Sequence, residues 1–310
     1  MPSRLSMSWC VLLRPFRFQN CLNETQAQRI TALGRVAVAG CAALLLVVAV
    51  PSHAQGYLQR FRSRGDDVKK VQPSWPTPLV GTTPLLGQFD REQFVRQKVQ
   101  GGDAVWNIGN GKGPGLLLSK RVEVDLAVPN YVVHGNAPGV DGIGDFCVLT
   151  KYRIVSRGKE DGNYSLAVVG SQSWATGVGK NGAPSSTRGL TLTGGKAFGR
   201  YVVVSSAGAT FPTAAGRESM GRPVAWNTAL EAHVAPRVWA QIESNTTFYN
   251  GGAHDGKRQH FVTPGIWAVP LRPWSAASRS YLLLGVGMQF ATTRYHGSDH
   301  NLILDSKLYF

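Results

Sequence analysis

Charged residues are scarce in this sequence, and acidic residues are the scarcest of them. Only 16% of the residues are charged, whereas about a quarter is usual in a soluble domain. The 33 basic residues outnumber the 18 acidic ones, which gives a formal net charge of +15. Glycine is abundant instead, with 36 residues, and aromatic residues make up 9% of the chain. This composition favours a sheet protein with many turns and a second apolar surface.

Cysteine is also scarce. Three of the four cysteines, Cys10, Cys21 and Cys41, lie near the N-terminus, so Cys147 alone would remain after processing. A single cysteine excludes an intrachain disulfide and a cysteine-based zinc site in the mature protein. The basic residues are scattered and form no nucleic-acid-binding motif, so we predict no nucleic-acid partner.

Residues 1–54 have the features of a secretion signal. Arg29 and Arg35 precede an apolar run of 15 residues from Val36 to Val50, and small residues follow up to Ala54. A transmembrane helix needs about 20 apolar residues, so the run is short for one. We predict cleavage after Ala54 and export through the inner membrane. A lipoprotein cleavage box ending at Cys41 is a weaker alternative, because the strongest apolar segment follows that cysteine.

The mature chain divides into a segment, 55–102, and a domain, 103–310. The segment contains Pro73, Pro76, Pro78 and Pro84, and proline blocks regular strand ladders. We therefore predict a Pro-rich periplasmic N-terminal segment. Residues 88–100 are compatible with either a short helix or a first strand.

Apolar and polar residues alternate from 103 to the C-terminus, in segments of about ten residues separated by turn clusters. The six clear segments are 121–128, 145–154, 226–234, 238–249, 281–290 and 301–310. Weaker ones are 165–169, 190–193, 200–205 and 261–269, and 104–120 offers room for more. A membrane-spanning strand needs about 9–11 residues. We predict an all-β fold, a single-chain antiparallel transmembrane β-barrel of about 12 strands, with 10 as the alternative.

Alternation alone does not say which face looks inward, since a soluble β-sandwich or lipocalin-like barrel would enclose its apolar face. The charged residues on the polar faces would be costly in a soluble core. Leu308 and Phe310 end the last segment in the manner of a signal for the barrel-assembly machinery. Aromatic residues near segment ends fit interfacial girdles; they are Trp106, Tyr152, Trp226, Phe248, Trp267 and Phe290. We predict an outer-membrane location, with the membrane lipids and the assembly machinery as partners.

The candidate site is the set of side chains on the presumed inner faces. Nine are charged: Arg121, Glu123, Asp125, Lys151, Arg153, Glu231, Glu243, Asp305 and Lys307. Trp239, Tyr249 and Tyr281 share these faces and are candidates for stacking against an aromatic solute. The charges fit two roles equally well, a structural network across the lumen or a selectivity site for solutes.

Three other kinds of chemistry have weaker support. Gly109–Gly113 and Gly177–Lys180 lack the full phosphate-binding spacing. His254, His260, His296 and His300 with Asp255 and Asp299 fit a solvated loop better than a metal site. Ser171, Ser173, Ser205 or Ser206 with His233 would suit a lipid-modifying enzyme, but a nucleophile elbow is missing. We therefore predict no enzyme activity, no metal and no cofactor.

Residues 70–310 resemble the outer-membrane transporter-like barrels related to the meta-pathway phenol-degradation family. The matching stretches include Gln72–Trp75, Trp106–Gly113, Gly142–Asp145, Gly195–Gly199, Gly221–Asn227, Val262–Gly265 and His300–Phe310. The resemblance implies a barrel of about a dozen strands and passage of small, hydrophobic or aromatic solutes. The alternative function is a non-transporting barrel that serves as a structural or surface-interaction module.

Overall fold

The computed structural model describes residues 53–99, 103–272, 275 and 279–310. The predicted signal peptide, 1–54, lies outside these residues except for His53 and Ala54. Residues Gln59–Phe310 form one compact unit, and the described residues before it, 53–58, open the first helix.

The described residues contain two α-helices and fifteen strand segments. The helices are α1 (His53–Lys70) and the short α2 (Arg217–Met220), with single 3₁₀ turns at Lys159–Asp161, Ala214–Gly216 and Gly252–His254. The first seven strands are β1 (Phe89–Lys98), β2 (Ala104–Ile108), β3 (Pro114–Leu117), β4 (Val122–Ala127), β5 (Tyr131–Val133), β6 (Gly142–Ile143) and β7 (Phe146–Arg157). The others are β8 (Tyr164–Trp174), β9 (Thr187–Phe198), β10 (Tyr201–Pro212), β11 (Val224–Ala235), β12 (Val238–Phe248), β13 (Arg258–Leu271), β14 (Tyr281–Ala291) and β15 (His300–Tyr309).

These segments form a closed antiparallel β-barrel. Each strand from β7 to β15 pairs with the next in the chain, and β15 closes the ring by pairing with β1. Three wall strands are interrupted: β2 with β3, β4 with β5, and β6 with β7 each continue one another beside the same neighbours. The fifteen described segments therefore make a barrel of twelve strands, which confirms the prediction of 12 over 10.

The interruptions have local causes. Gly109, Asn110 and Gly111 have φ angles of 85°, 43° and 61°, a left-handed conformation that breaks the strand between β2 and β3. Pro129 lies between β4 and β5, where it has no backbone N–H to donate to a ladder. The break between β2 and β3 explains why residues 104–120 show only a weak strand pattern.

The predicted boundary at 103 is wrong, because the barrel wall begins at Phe89. β1 pairs along its whole length with β15, from Phe89 opposite Tyr309 to Lys98 opposite His300. Its outer face carries Glu92 and Arg96 beside Phe94, and its inner face also contains polar residues. Polar residues on both faces removed the apolar alternation by which the other strands were recognised.

The barrel exposes its apolar side chains and encloses its polar ones. Exposed residues of the wall include Leu192, Leu230, Ile242, Ile266, Val286 and Leu304. In contrast, Glu123, Glu231, Glu243 and Asp305 are at most 2% exposed. This is the orientation that a lipid-facing wall requires and the reverse of a soluble barrel. The charged outer residues of β1 are an exception to this apolar belt.

Exposed aromatic side chains lie at both ends of the apolar belt, with Phe198 and Tyr201 where β9 ends and β10 begins, and Trp226 and Phe248 at the opposite end. Of the six predicted girdle residues, Trp106, Tyr152, Trp226, Phe248 and Phe290 are exposed. The prediction for Trp267 is wrong, because this residue is fully buried and donates a hydrogen bond of 2.9 Å to Gln241 Oε1. Among the described residues, no helix is both long and apolar enough to cross a membrane.

A charge placed in the belt tests the orientation of the wall. Ile242→Lys places an ammonium group midway along β12, and we expect the free energy of unfolding from lipid vesicles to fall by about 2–4 kcal/mol. The matched control is Val140→Lys, at an exposed position between β5 and β6, which should leave the free energy of unfolding unchanged. Guanidinium titration followed by tryptophan fluorescence measures the free energy of both variants. Equal stability of the Ile242→Lys and Val140→Lys variants would contradict a lipid-facing belt.

Candidate functional site

The barrel lumen is occupied by residues 71–88, which connect α1 to β1 and which we call the lumenal loop. Its side chains Trp75, Leu79, Leu85 and Leu86 are buried. The loop starts and finishes at the end of the barrel where β1 begins and β15 ends, here called the terminal end. The prediction of a periplasmic segment outside the barrel is therefore wrong for 71–88.

Two carboxylates of the wall accept hydrogen bonds from the backbone of the lumenal loop. Glu243 on β12 accepts from the N–H groups of Val80 and Gly81, at 3.0 and 2.8 Å. Glu123 on β4 accepts from the N–H of Gly87 at 2.5 Å. Both side chains are almost completely enclosed. Backbone donors of the loop thus stabilise two charges that would otherwise be costly to bury.

Two cationic side chains bind carbonyl groups of the same loop. Arg91 on β1 donates to the carbonyls of Pro78 and Leu79 at 3.0 and 3.1 Å, and it pairs with Asp305 at 2.7 Å. Lys151 on β7 donates to the carbonyl of Leu85 at 3.1 Å and pairs with Glu123 at 2.5 Å. Each ion pair of the wall is therefore completed by the loop.

Neutral residues of the wall provide further contacts. Gln93 donates to the Leu79 carbonyl at 2.9 Å, and Thr193 donates to the Thr82 carbonyl at 2.8 Å. The Leu79 side chain lies against Gly265 and Gly287, which are directly paired on β13 and β14. A Cβ added at either glycine would lie 2.5 Å from Leu79, so a larger residue there would displace the loop.

The structure brings most of the predicted charged residues to the lumen. Glu123, Lys151 and Glu243 contact the loop directly. Asp305 pairs with Arg91, which in turn binds the loop. Arg153 donates to the Lys120 carbonyl and to Gln72 of the loop, and Lys307 lies 3.6 Å from the Phe89 ring centre. Glu231 is fully buried, and neither of its carboxylate oxygens has a hydrogen-bond partner among the described residues.

Other candidates have different positions. Asp125 is half-buried, and its Oδ1 has no hydrogen-bond partner in the described part of the chain. The prediction is wrong for Arg121, which is exposed in the turn before β4. For Tyr249 it stays a prediction: this residue follows the end of β12 and packs edge-on against Tyr295, with ring centres 5.5 Å apart. Both lie just beyond a strand, where alternation no longer determines direction.

Sequence reasoning missed Arg91, Gln93 and the lumenal loop itself. Arg91 and Gln93 lie in β1, which had been grouped with the N-terminal segment. The available signal was the run of prolines before β1: a proline has no N–H, so such a segment can be buried with fewer unsatisfied donors.

Three cavities remain beside the loop. The terminal-end cavity has a volume of about 480 Å³ and includes Trp75, Trp239, Tyr281, Lys159 and Arg200 in its lining. The central cavity, of about 120 Å³, is lined by five charged residues, which are Arg91, Lys112, Asp125, Lys151 and Lys307. The loop-end cavity lies at the opposite end, between β1 and β11–β15, and has a volume of about 440 Å³. Trp239 and Tyr281 thus line the terminal-end cavity, where they also stack on His233 and Tyr309.

Helix α1 contacts the terminal end through its second half. Arg64 donates to the carbonyls of Leu117 and Leu118, both at 2.9 Å, and Phe61 stacks on Phe310 with ring centres 6.3 Å apart. Leu308 lies opposite Leu282 of β14. The role of Leu308 and Phe310 as an assembly signal stays a prediction.

The remaining chemical candidates are dispersed. No group of three or more potential metal ligands lies together among the described residues. His296 contacts Asp299 at 3.0 Å, and the Thr293 carbonyl and Asp299 raise the pKa of His296. His233 stacks on Trp239 with ring centres 4.7 Å apart. Ser205 bonds to Thr228 rather than to a histidine.

Comparison with known proteins gives only loose structural likenesses. No family model and no curated protein matches the sequence. The NanC porin superposes with a TM-score of 0.42 at 9% identity, covering 72% of this chain and 99% of that one. OccD3 (OpdP) of Pseudomonas aeruginosa gives 0.36 at 11% identity, covering 71% and 60%. An OmpT variant lacking loop L8, an outer membrane protein of Vibrio cholerae, gives 0.31 at 10%, covering 72% and 97%. The resemblance to the meta-pathway family stays a prediction.

The Arg91–Asp305 pair allows a test of the charge network. Asp305→Asn leaves Arg91 buried without its counter-charge, and we expect the free energy of unfolding to fall by about 3–5 kcal/mol. Arg91→Met with Asp305→Leu removes both charges and should recover most of that loss. Unfolding by guanidinium measures the effect, with Asp161→Asn on an exposed turn as the control. A stable Asp305→Asn variant would show that the pair is not essential to the barrel.

Proposed function

We propose that this protein is an outer-membrane channel through which small molecules pass. The observation that carries the proposal is an apolar belt around a polar lumen that holds a cavity at each end. Two turns at the terminal end, 199–200 and 236–237, contain two residues each, whereas two connections at the other end, 175–186 and 213–223, are the longest between described strands. Outer-membrane barrels have short periplasmic turns and longer extracellular loops, so the terminal end would face the periplasm.

Passage requires the lumenal loop to move. Val80 borders both the central and the loop-end cavities, and Trp75 borders the terminal-end cavity, so the loop lies between the two large cavities. The anchors from Glu243, Arg91 and Lys151 hold it there. The charges of the wall would then act on solutes indirectly, by setting how readily the loop is displaced.

The terminal-end cavity supports the expectation of a hydrophobic or aromatic solute in part. Trp75, Trp239 and Tyr281 line it, and its charged lining residues, Lys159, Arg200 and Arg272, are all basic. A planar solute would find stacking partners here, and a negative charge on it would be favoured.

A second function is supported by the same loop. Because wall residues from five strands bind the loop backbone, a permanently closed barrel with a structural or surface-interaction role is the alternative. In that case the loop serves only to fill the lumen and neutralise its charges.

An engineered disulfide separates the two functions. A Cβ built on Gly81 lies 3.6 Å from that of Asn227, within the range of about 3.5–4.5 Å found in disulfides. In a Cys147→Ser background, Gly81→Cys with Asn227→Cys would fix the loop to β11. We expect oxidation to lower planar-bilayer conductance at least tenfold and dithiothreitol to restore it.

The same protein in its two redox states is the matched comparison, and each single-cysteine variant controls for the reagents. Conductance that is identical when oxidised and reduced would show that solutes pass without loop movement. Silence of the wild-type barrel under all voltages would contradict the channel and leave the structural function.

A further inference from the structure

The loop-end cavity is lined by amide side chains and by no charged residue. Six of the residues around its 440 Å³ volume are amides, namely Gln97, Asn227, Asn245, Gln259, Gln289 and Asn301. Thr247 and Ser298 add hydroxyl groups, and Phe261 adds an apolar face. From this lining we propose that the cavity binds a neutral polyhydroxylated solute of the size of a mono- or disaccharide. The inference rests on the proposed channel, of which this cavity would be the entrance.

Strand register brings these amides together. Asn301 on β15 lies directly opposite both Gln97 on β1 and Gln289 on β14. Asn227 on β11 lies opposite Asn245 on β12. Because inward residues recur every second position, neighbouring strands place their amides at one level of the lumen. The cavity is therefore formed by at least five strands rather than by one flexible loop.

Hydrogen bonds between the amides fix their positions. Asn301 Nδ2 donates to Gln289 Oε1 at 2.7 Å, and Asn245 Nδ2 donates to Asn227 Oδ1 at 3.2 Å. Gln289 Nε2 lies 3.5 Å from Asn245 Oδ1. Asn301, Gln289 and Asn245 are at least nine-tenths buried, and Asn301 Oδ1 has no partner among the described residues. A preformed polar site with an unused acceptor is what a ligand with several hydroxyl groups requires.

The absence of charge in the lining determines the class of ligand. An amide both donates and accepts, as a hydroxyl does, so each can satisfy the other. An ion that lost its water here would meet no counter-charge. Two carboxylates beside the lining already have partners, since Glu243 binds the lumenal loop and Asp299 pairs with His296. The other two cavities, which have charged linings, lack this property.

Saturation-transfer NMR on the detergent-solubilised full chain tests binding without requiring passage. The probes are glucose and sucrose, with gluconate as the charged analogue. We expect transfer to the sugars that depends on the amides of this cavity, and transfer to gluconate that does not depend on them. No transfer to either sugar, or gluconate transfer that falls together with sugar transfer when these amides are replaced, would overturn the proposal.

Two substitutions locate the binding. Gln97→Leu with Gln259→Leu removes two amide groups and leaves side chains of similar size. We expect the affinity for sugar to fall about tenfold. The matched control is Gln172→Leu, an amide on the outer side of β8 that pairs with Arg188. Heat-modifiable migration on gels confirms folding. Sugar binding that survives the double substitution overturns the assignment, as does equal loss in the control.

Proteoliposome swelling in the same sugars then separates the two proposals. Binding without swelling would retain the cavity and contradict the channel. Swelling without saturable binding would retain the channel and contradict the cavity.

Discussion

The backbone of the lumenal loop supplies hydrogen-bond donors to two enclosed carboxylates of the wall. Glu243 and Glu123 are almost completely removed from water, and together they accept bonds from three backbone N–H groups of the loop. A buried charge without such partners costs several kcal/mol. The wall therefore depends on the loop to stabilise its buried charges. The loop, which is not part of a β-sheet, depends in turn on the wall for partners to its backbone groups.

This mutual dependence explains the composition of both parts. Most apolar residues of the strands face outward, so no large hydrophobic core within the lumen holds the lumenal loop in place. Small hydrophobic groups, with Leu79 among Trp267, Val269 and Ile303, contribute locally. Directional bonds to the loop backbone take over the role that side-chain packing has in a soluble protein. Glycines at 265 and 287 then leave the space that Leu79 needs.

The sequence predicted the parts of the fold in which one periodicity dominates. β12 and β15 were recognised because apolar outer residues alternate there with polar inner ones over the whole strand. β1 was ambiguous because it carries charges on both faces, and Trp267 was misplaced because an aromatic residue is compatible with either face. Nothing local indicates the loop contacts, since Val80 and Glu243 are separated by 163 residues. The wall followed from local pattern, whereas the contents of the lumen depend on long-range pairing.

The loop also divides the lumen by chemistry. Charged side chains are concentrated around the central cavity, where the loop and the ion pairs neutralise much of their charge. Neutral amides line one end, and aromatic and basic residues line the other. A solute that crossed would exchange one set of partners for another, and at the centre it would compete with the loop for the same donors and acceptors. In the proposed channel, the energetic barrier to passage would therefore be set by how tightly the loop is bound rather than by the width of a twelve-stranded barrel.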